Sequence, residues 1–408
     1  MLPATMDYYV IIRMVLVLCM ASSSLGATTI FNVMSYGAVG NGRIDDSQAF
    51  LKAWRAACQG QATPATPVVY VPQKKTFLLS PLTFNGPCKS SRVYMLVSGN
   101  IVAPVKTGWR GNQKNAWIIF SNINGLVVKG KGVIDGQGSS WWPSRPCFDD
   151  PANGQNCKGP TGMMFRRCNG LRLDGFSKIN GPGSHILISA TKDAVLTNLR
   201  IVAPGDSPNT DAIDISSSTA VQIRNSFIAT GDDCVAISAG SSNIDVSGVT
   251  CGPGHGISIG SLGGGGYDVV ENVRVRNCTL KGTLTGVRIK TLQGGKGYAR
   301  RISFDGIKFE AVDNPIQIEQ FYCPLKVNCQ NYTSAVAVSD VSFTAISGTS
   351  VAENVINLSC SQSVACNNIK LDRVYIKPST PGKKVYSSCF NARGQATHTK
   401  PAVNCLRH

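Results

Sequence analysis

Residues 211–259 read DAIDISSSTAVQIRNSFIATGDDCVAISAGSSNIDVSGVTCGPGHGISI, and one phrase occurs in them three times. Ile213/Ile215, Val235/Ile237 and Ile257/Ile259 are apolar pairs split by one residue, the period-two mark of a strand with one buried face. Asp211, Asp233 and His255 each stand two residues before their pair, so the three are spaced 22 apart. A second alternating phrase runs between them, Val221-Gln-Ile and Ile244-Asp-Val. Four residues into it, Asn225 or Gly248 marks the turn that ends the strand.

Both phrases continue outward. The one that ends in a turn recurs from Leu126, Leu171, Ala194, Val221, Ile244, Val273, Ile302, Val341 and Ile369, with middle spacings of 23, 27, 23, 29 and 29. Gly130, Gly175, Asn198, Asn277 and Gly306 hold the turn position in other copies. The paired phrase goes on through Val287/Ile289 and Ile316/Ile318. Two or three short strands per 23–29 residues, repeated some nine times, predict a stacked solenoid, all-β and of the parallel β-helix kind. No long helical pattern alternates with the strands, which argues against a doubly wound α/β sheet. The hairpins of a sandwich would need no fixed period.

A solenoid needs covered ends. Asp45–Cys58 (DDSQAFLKAWRAAC) puts Phe50, Leu51, Trp54 and Cys58 on one helical face and predicts an N-terminal capping helix. The longer gap from Leu126 to Leu171 is an insertion rich in Trp, Cys, Pro and Gly, expected to wall one side of a groove. No Pro/Ser linker divides the chain, so residues 27–408 are expected to form one domain.

Val10–Ala21 is apolar, short, interrupted by Arg13 and followed by small residues. It predicts a cleaved signal peptide over residues 1–26, not a membrane anchor, and hence a secreted, extracellular protein. Of fifteen cysteines, fourteen remain after Cys19 is removed, an even number that suits disulfides. Spacing suggests Cys147–Cys157, Cys234–Cys251, Cys323–Cys329, Cys360–Cys366 and Cys389–Cys405, with Cys58–Cys88 a looser pairing and Cys168 and Cys278 left over. Asn277, Asn331 and Asn357 begin glycosylation sequons. The net charge of +17 suits a polyanionic partner. No basic tract is interleaved with aromatics, so an acidic carbohydrate is preferred to nucleic acid. No zinc-knuckle pattern is present, and neither metal nor cofactor is expected.

The chemistry follows from stacking. Equivalent residues of successive coils lie about 4.8 Å apart, so Asp211, Asp233 and His255 form a ladder with Asp232 beside it. Arg288 and Lys290 flank the inward Ile289 on the next coil and point outward together. Carboxylates this close raise at least one carboxyl pKa, which leaves one protonated while another is ionised. Glycoside hydrolysis needs that division between an acid for the leaving oxygen and a base for water. Asp232 and Asp233 are neighbours, so both reach the cleft only if the backbone bends at Gly231.

Asn209-Thr-Asp211, Gly231-Asp-Asp233, Gly254-His-Gly256 and Arg288-Ile-Lys290, with IDGQGSSWW at Ile134–Trp142, resemble the polygalacturonases, glycoside hydrolase family 28, of the plant type. The resemblance implies a right-handed parallel β-helix that hydrolyses α-1,4-linked galacturonic acid of pectin with inversion and without metal, as a secreted monomer in the cell wall. It implies Asp232 as general acid, Asp211 and Asp233 as joint activators of water, and His255 as the partner of the acid. Arg288 and Lys290 would bind the uronate carboxylate, and Asn209 and Tyr322 would contact substrate. Ala212 replaces the glycine of many relatives and is expected to crowd the sugar. A pectate lyase, a rhamnogalacturonan hydrolase and an idle wall-binding protein remain open alternatives.

Overall fold

The structure is a computed structural model that describes residues 27–60, 64–110, 115–142, 159–323, 329 and 332–406. The expected signal peptide, the Cys147–Cys157 pairing and Asn331 lie outside the described residues. Within them the chain is a parallel β-helix. An eleven-stranded parallel ladder runs from Leu82–Asn85 to Tyr386–Phe390. It contains Ile213–Ser216, Val235–Ile237 and Ile257–Leu262 as successive rungs, followed by Thr285–Leu292 and Asn314–Tyr322.

The pairing register joins Ile213 to Val235 and Val235 to Ile257, as the spacing of 22 requires. The other phrase forms a second ladder, in which Val221 pairs with Ile244 and Ile244 with Val273. A third ladder of two- to five-residue strands includes Ser177–Ile179, Arg200–Val202, Phe227–Ala229 and Thr250–Cys251. Its strands are too short to show an alternation that sequence alone would isolate.

The turn after each strand of the second ladder explains its residue choice. Asn198, Asn225 and Asn277 have φ near +50°, and Gly248 and Gly306 take the same left-handed conformation. At Gly248 a Cβ would stand 2.7 Å from the side-chain oxygen of Asn225 on the coil below, and at Gly306 one would stand 2.6 Å from that of Asn277. Asn below therefore favours Gly above.

The capping helix spans Ser47–Gln59, two residues later than expected at its start. Asp46 does not cap it with its side chain. Its carboxylate instead accepts from the amides of Val39 and Gly40, at 2.6 and 3.1 Å. Phe50, Trp54 and Cys58 are buried, while Leu51 is half-buried. Trp54 lies 5.2 Å from Phe84 and donates its indole N–H to the Asn85 carbonyl at 3.0 Å. Phe84, Phe120 and Phe165 continue the stack along the axis, 4.9 and 5.0 Å apart. Each such buried ring contributes about 1.5–3 kcal/mol by leaving water.

Five of the expected disulfides form: Cys58–Cys88, Cys234–Cys251, Cys323–Cys329, Cys360–Cys366 and Cys389–Cys405. Cys168 and Cys278 are free and buried, and burial pushes both thiols up to about 11. Among the described residues no helix is long and apolar enough to cross a membrane. Of the two described sequons, Asn277 is exposed in a turn. Asn357 is half-buried inside the eleven-stranded ladder and accepts from the Ser388 hydroxyl.

Candidate active site

The outer face of the eleven-stranded ladder is the floor of the site, and the turns that lead into its strands supply the charged groups. Asn209 and Asp211 precede Ile213–Ser216, Asp232 and Asp233 precede Val235–Ile237, and His255 precedes Ile257–Leu262. Backbone bonds lock these turns together. The Ala212 amide donates to the Asp233 carbonyl, the His255 amide to that of Asp232, and the Cys234 amide to that of Gly256.

Gly231 is required here, though not for the reason sequence suggests. A Cβ on it would lie 2.0 Å from the Ser207 carbonyl oxygen, and its amide donates to the Thr210 hydroxyl at 3.0 Å. Close approach of two backbones, not a left-handed φ, excludes a side chain. Asn209 has φ +53° in the turn above. Ala212 is fully buried, so its methyl points into the coil and cannot crowd a sugar, contrary to expectation.

The backbone column of Asp211, Asp233 and His255 exists, but the side chains pair across it. His255 Nδ1 pairs with Asp232 Oδ1 at 2.9 Å rather than with Asp233. Asp233 is buried and held by Lys290 Nζ at 2.7 Å and an Arg288 guanidinium nitrogen at 3.1 Å, and the Ser258 hydroxyl donates to it at 2.8 Å. Arg288 and Lys290 are each only 7% exposed, so their first partner is Asp233. Tyr322 covers both, its ring centre 5.9 Å from the guanidinium and 5.4 Å from the ammonium. The cluster expected from sequence, Asn209 to Tyr322, is thus drawn onto five adjacent rungs.

Electrostatics separate the carboxyls. Burial, then Asp214, Asp232 and Asp233, push the Asp211 carboxyl well above the usual range. Burial opposes ionisation of Asp232, yet the hydrogen bond and charge of His255, with Lys290 behind, hold it below the usual range. Of these two, Asp211 is the carboxyl whose charged form is disfavoured and Asp232 the one whose charged form is favoured.

Asp214 was not singled out from the sequence. It stands outward between the inward Ile213 and Ile215, in line with Ala236, Ser258 and Arg288 on the following rungs. Burial pushes its carboxyl up to about 7, against a bond from the Ser184 side chain. The Ile-Asp-Ile pattern placed it on the groove face, and that was the available signal.

Asp232, Asp233 and His255 offer ligand atoms within 4.8 Å of one another. A divalent cation there would face Arg288 and Lys290 already bonded to Asp233, and like charge opposes it. The set suits proton transfer to and from a bond laid over the groove, near cations that match an anionic substrate.

The glycosyl hydrolases family 28 model matches residues 60–399. A probable polygalacturonase of Arabidopsis thaliana is 46% identical over 380 residues, 92% of this chain and 80% of that one. A polygalacturonase of Prunus persica is 39% identical over 95% of this chain and 96% of its own. Among solved structures, an endo-xylogalacturonan hydrolase from Aspergillus tubingensis superposes with a TM-score of 0.76 at 25% identity, over 90% of this chain and 100% of that one. An exopolygalacturonase from Thermotoga maritima, at 19% identity and TM-score 0.70 over 90% and 88%, shares the fold.

Proposed function

The chain belongs to glycosyl hydrolases family 28, and from that premise we propose that it hydrolyses α-1,4-galacturonosyl linkages of pectic homogalacturonan with inversion. The observation that carries this reading is the gathering of Asp211, Asp232, Asp233 and His255 on adjacent rungs, with His255 paired to Asp232 at 2.9 Å and Arg288 and Lys290 beside them.

Asp232 is the general acid. His255 and Lys290 lower its pKa, whereas a bound uronate brings negative charge and displaces water, and both raise a carboxyl. In the reactive state the one proton that Asp211 and Asp232 share is on Asp232, and His255 at 2.9 Å orients it toward the glycosidic oxygen. Asp211 is the base: with that proton passed to Asp232 it is a carboxylate, its raised pKa makes it a strong acceptor for a proton of the attacking water, and turnover returns it to its protonated form.

An inverting pair needs roughly 6.5–9.5 Å between acid and base to hold that water. Asp233 has an oxygen within 4.8 Å of Asp232 and is buried between two cations. Its engagement with both cations favours Asp211 as the freer acceptor over an equal partnership of Asp211 and Asp233. Asp233 then serves by fixing Arg288 and Lys290, whose remaining N–H groups, under Tyr322, meet the uronate carboxylate. Asn209 lines the same wall. The basic chain draws the polyanion in. Residues 1–26 as a signal peptide, a secreted monomer in the cell wall, and no nucleic-acid or membrane partner complete the reading.

The test is release of reducing ends from polygalacturonate. Asp232→Asn is expected to lose about 10²–10⁴-fold in kcat. Unchanged turnover would remove Asp232 as the acid. An ultraviolet-absorbing product that requires calcium would replace hydrolysis by a lyase reaction.

A further inference from the structure

The turns that enter the eleven-stranded ladder follow one another along one side of it, and among their described residues Asp211 stands near the middle. Two rungs toward the N-terminus, the turn before Thr161–Arg166 carries Trp141. Three rungs away, the turn before Ala116–Ser121 carries Lys106 and Trp109. At about 4.8 Å per rung, these side chains stand roughly 10 and 14 Å along the axis from the Asp211 rung.

The two turns are tied to each other. The Lys106 amide donates to the Ser140 hydroxyl at 3.0 Å, and the Gln137 side-chain amide donates to the Ala103 carbonyl at 2.7 Å. The Trp109 and Trp141 rings meet edge to face at 5.0 Å, and Lys106 Nζ lies 5.5 Å from the centre of the Trp141 ring. Lys106 and Arg110 are exposed, and both indoles are half-exposed. Trp142 differs. Its indole donates to the Gly181 carbonyl at 3.3 Å, and its ring lies where a Cβ on Gly138 would be, so it anchors the turn. The Trp141 indole N–H is buried with no acceptor among the described residues.

We propose that Trp109, Trp141, Lys106 and Arg110 form a remote subsite for galacturonosyl units of the chain being cut, two to three rungs from the scissile bond. This rests on the reading of the protein as a galacturonan hydrolase. Each such unit has an apolar C–H face, which suits an indole, and a carboxylate, which suits an exposed lysine or arginine. The cross-braced turns hold the rings ready, so little ordering is needed on binding. The subsite favours long chains over short ones, because a trimer at the reaction centre does not reach it.

The experiment compares kcat/KM on polygalacturonate with kcat/KM on trigalacturonate, for the parent and for Trp141→Ala, Trp141→Phe and Lys106→Ala. The polymer-to-trimer ratio is expected to fall about tenfold for Trp141→Ala and less for Lys106→Ala, whose loss shrinks at high salt. Equal losses on both substrates would make the cluster packing alone and overturn the proposal, as would an unchanged ratio. If Trp141→Ala does not fold, the phenylalanine and Lys106 variants decide by the same ratio. Should the parent hydrolyse neither substrate, the catalytic reading fails and binding decides the subsite. Retention of the parent in polygalacturonate gels would then be compared with that of Trp141→Ala, and equal retention would overturn the proposal.

Discussion

Replacing Lys178 by methionine is expected to stabilise the protein, by an amount that shrinks as pH rises. Lys178 belongs to the third ladder, yet its side chain points into the coil and is fully buried. Its ammonium lies 5.4 Å from the Trp117 ring centre and donates to the Ile179 carbonyl at a long 3.3 Å. Burial brings its pKa from 10.5 down to about 7, and Asp135 only partly opposes this. Such a fall corresponds to about 5 kcal/mol of penalty on the charged form, an upper figure because relaxation reduces it.

The sign follows from linkage. Between pH 7 and 10.5 the unfolded chain holds the proton and the folded one does not, so stability rises with pH across that window. Below 7 both states hold it, and the full penalty is present. Methionine keeps the apolar stem and removes the charge. The variant should gain about 3–5 kcal/mol at pH 6, lose about 1.4 kcal/mol of that gain per pH unit above 7, and approach the parent near pH 10. His185, buried and brought down to about 3 with Lys178 as one cause, destabilises the fold as pH falls below 6.5. That contribution is largely common to both proteins. The assay is denaturant unfolding at pH 6, 7.5, 9 and 10 with the disulfides intact. A pH-independent difference, or a variant less stable at every pH, would refute the argument and make Lys178 an ion-paired group that the fold needs.

Other expectations follow from the site. Asp214, brought up to about 7, carries charge only near and above that pH, so Asp214→Asn should move the activity profile to lower pH in that range, read from kcat/KM between pH 6 and 8. No movement would separate Asp214 from the catalytic carboxyls. Lys290→Met leaves buried Asp233 with one cation and should cost about 3–5 kcal/mol in unfolding free energy, besides activity. A loss below 1 kcal/mol would mean that water reaches Asp233. Replacing both Cys234 and Cys251 by serine opens a bridge with a sequence separation of 17, worth about 3 kcal/mol. Because that bridge lies between Asp233 and His255 in the chain, kcat should fall more than for the Cys389–Cys405 pair, with a separation of 16; equal effects on kcat would show that the loop does not depend on its staple.

Much of this protein is written in one dimension. A period of 22 between Asp211, Asp233 and His255 sets the rung register, because a parallel ladder repeats with the chain and the pleat alternates by twos. The Gly and Asn turns, five disulfides and the residues gathered at the groove were legible for the same reason. Tertiary structure decided which charge meets which. Asp233, not a solvent-facing column, takes Arg288 and Lys290, His255 goes to Asp232, and burial raises the Asp211 carboxyl. These outcomes depend on turn geometry, such as Gly231 against Ser207, and on how deeply each carboxyl is buried. Neither is a periodic quantity, since side-chain direction in a turn and loss of water are set by neighbours distant in sequence.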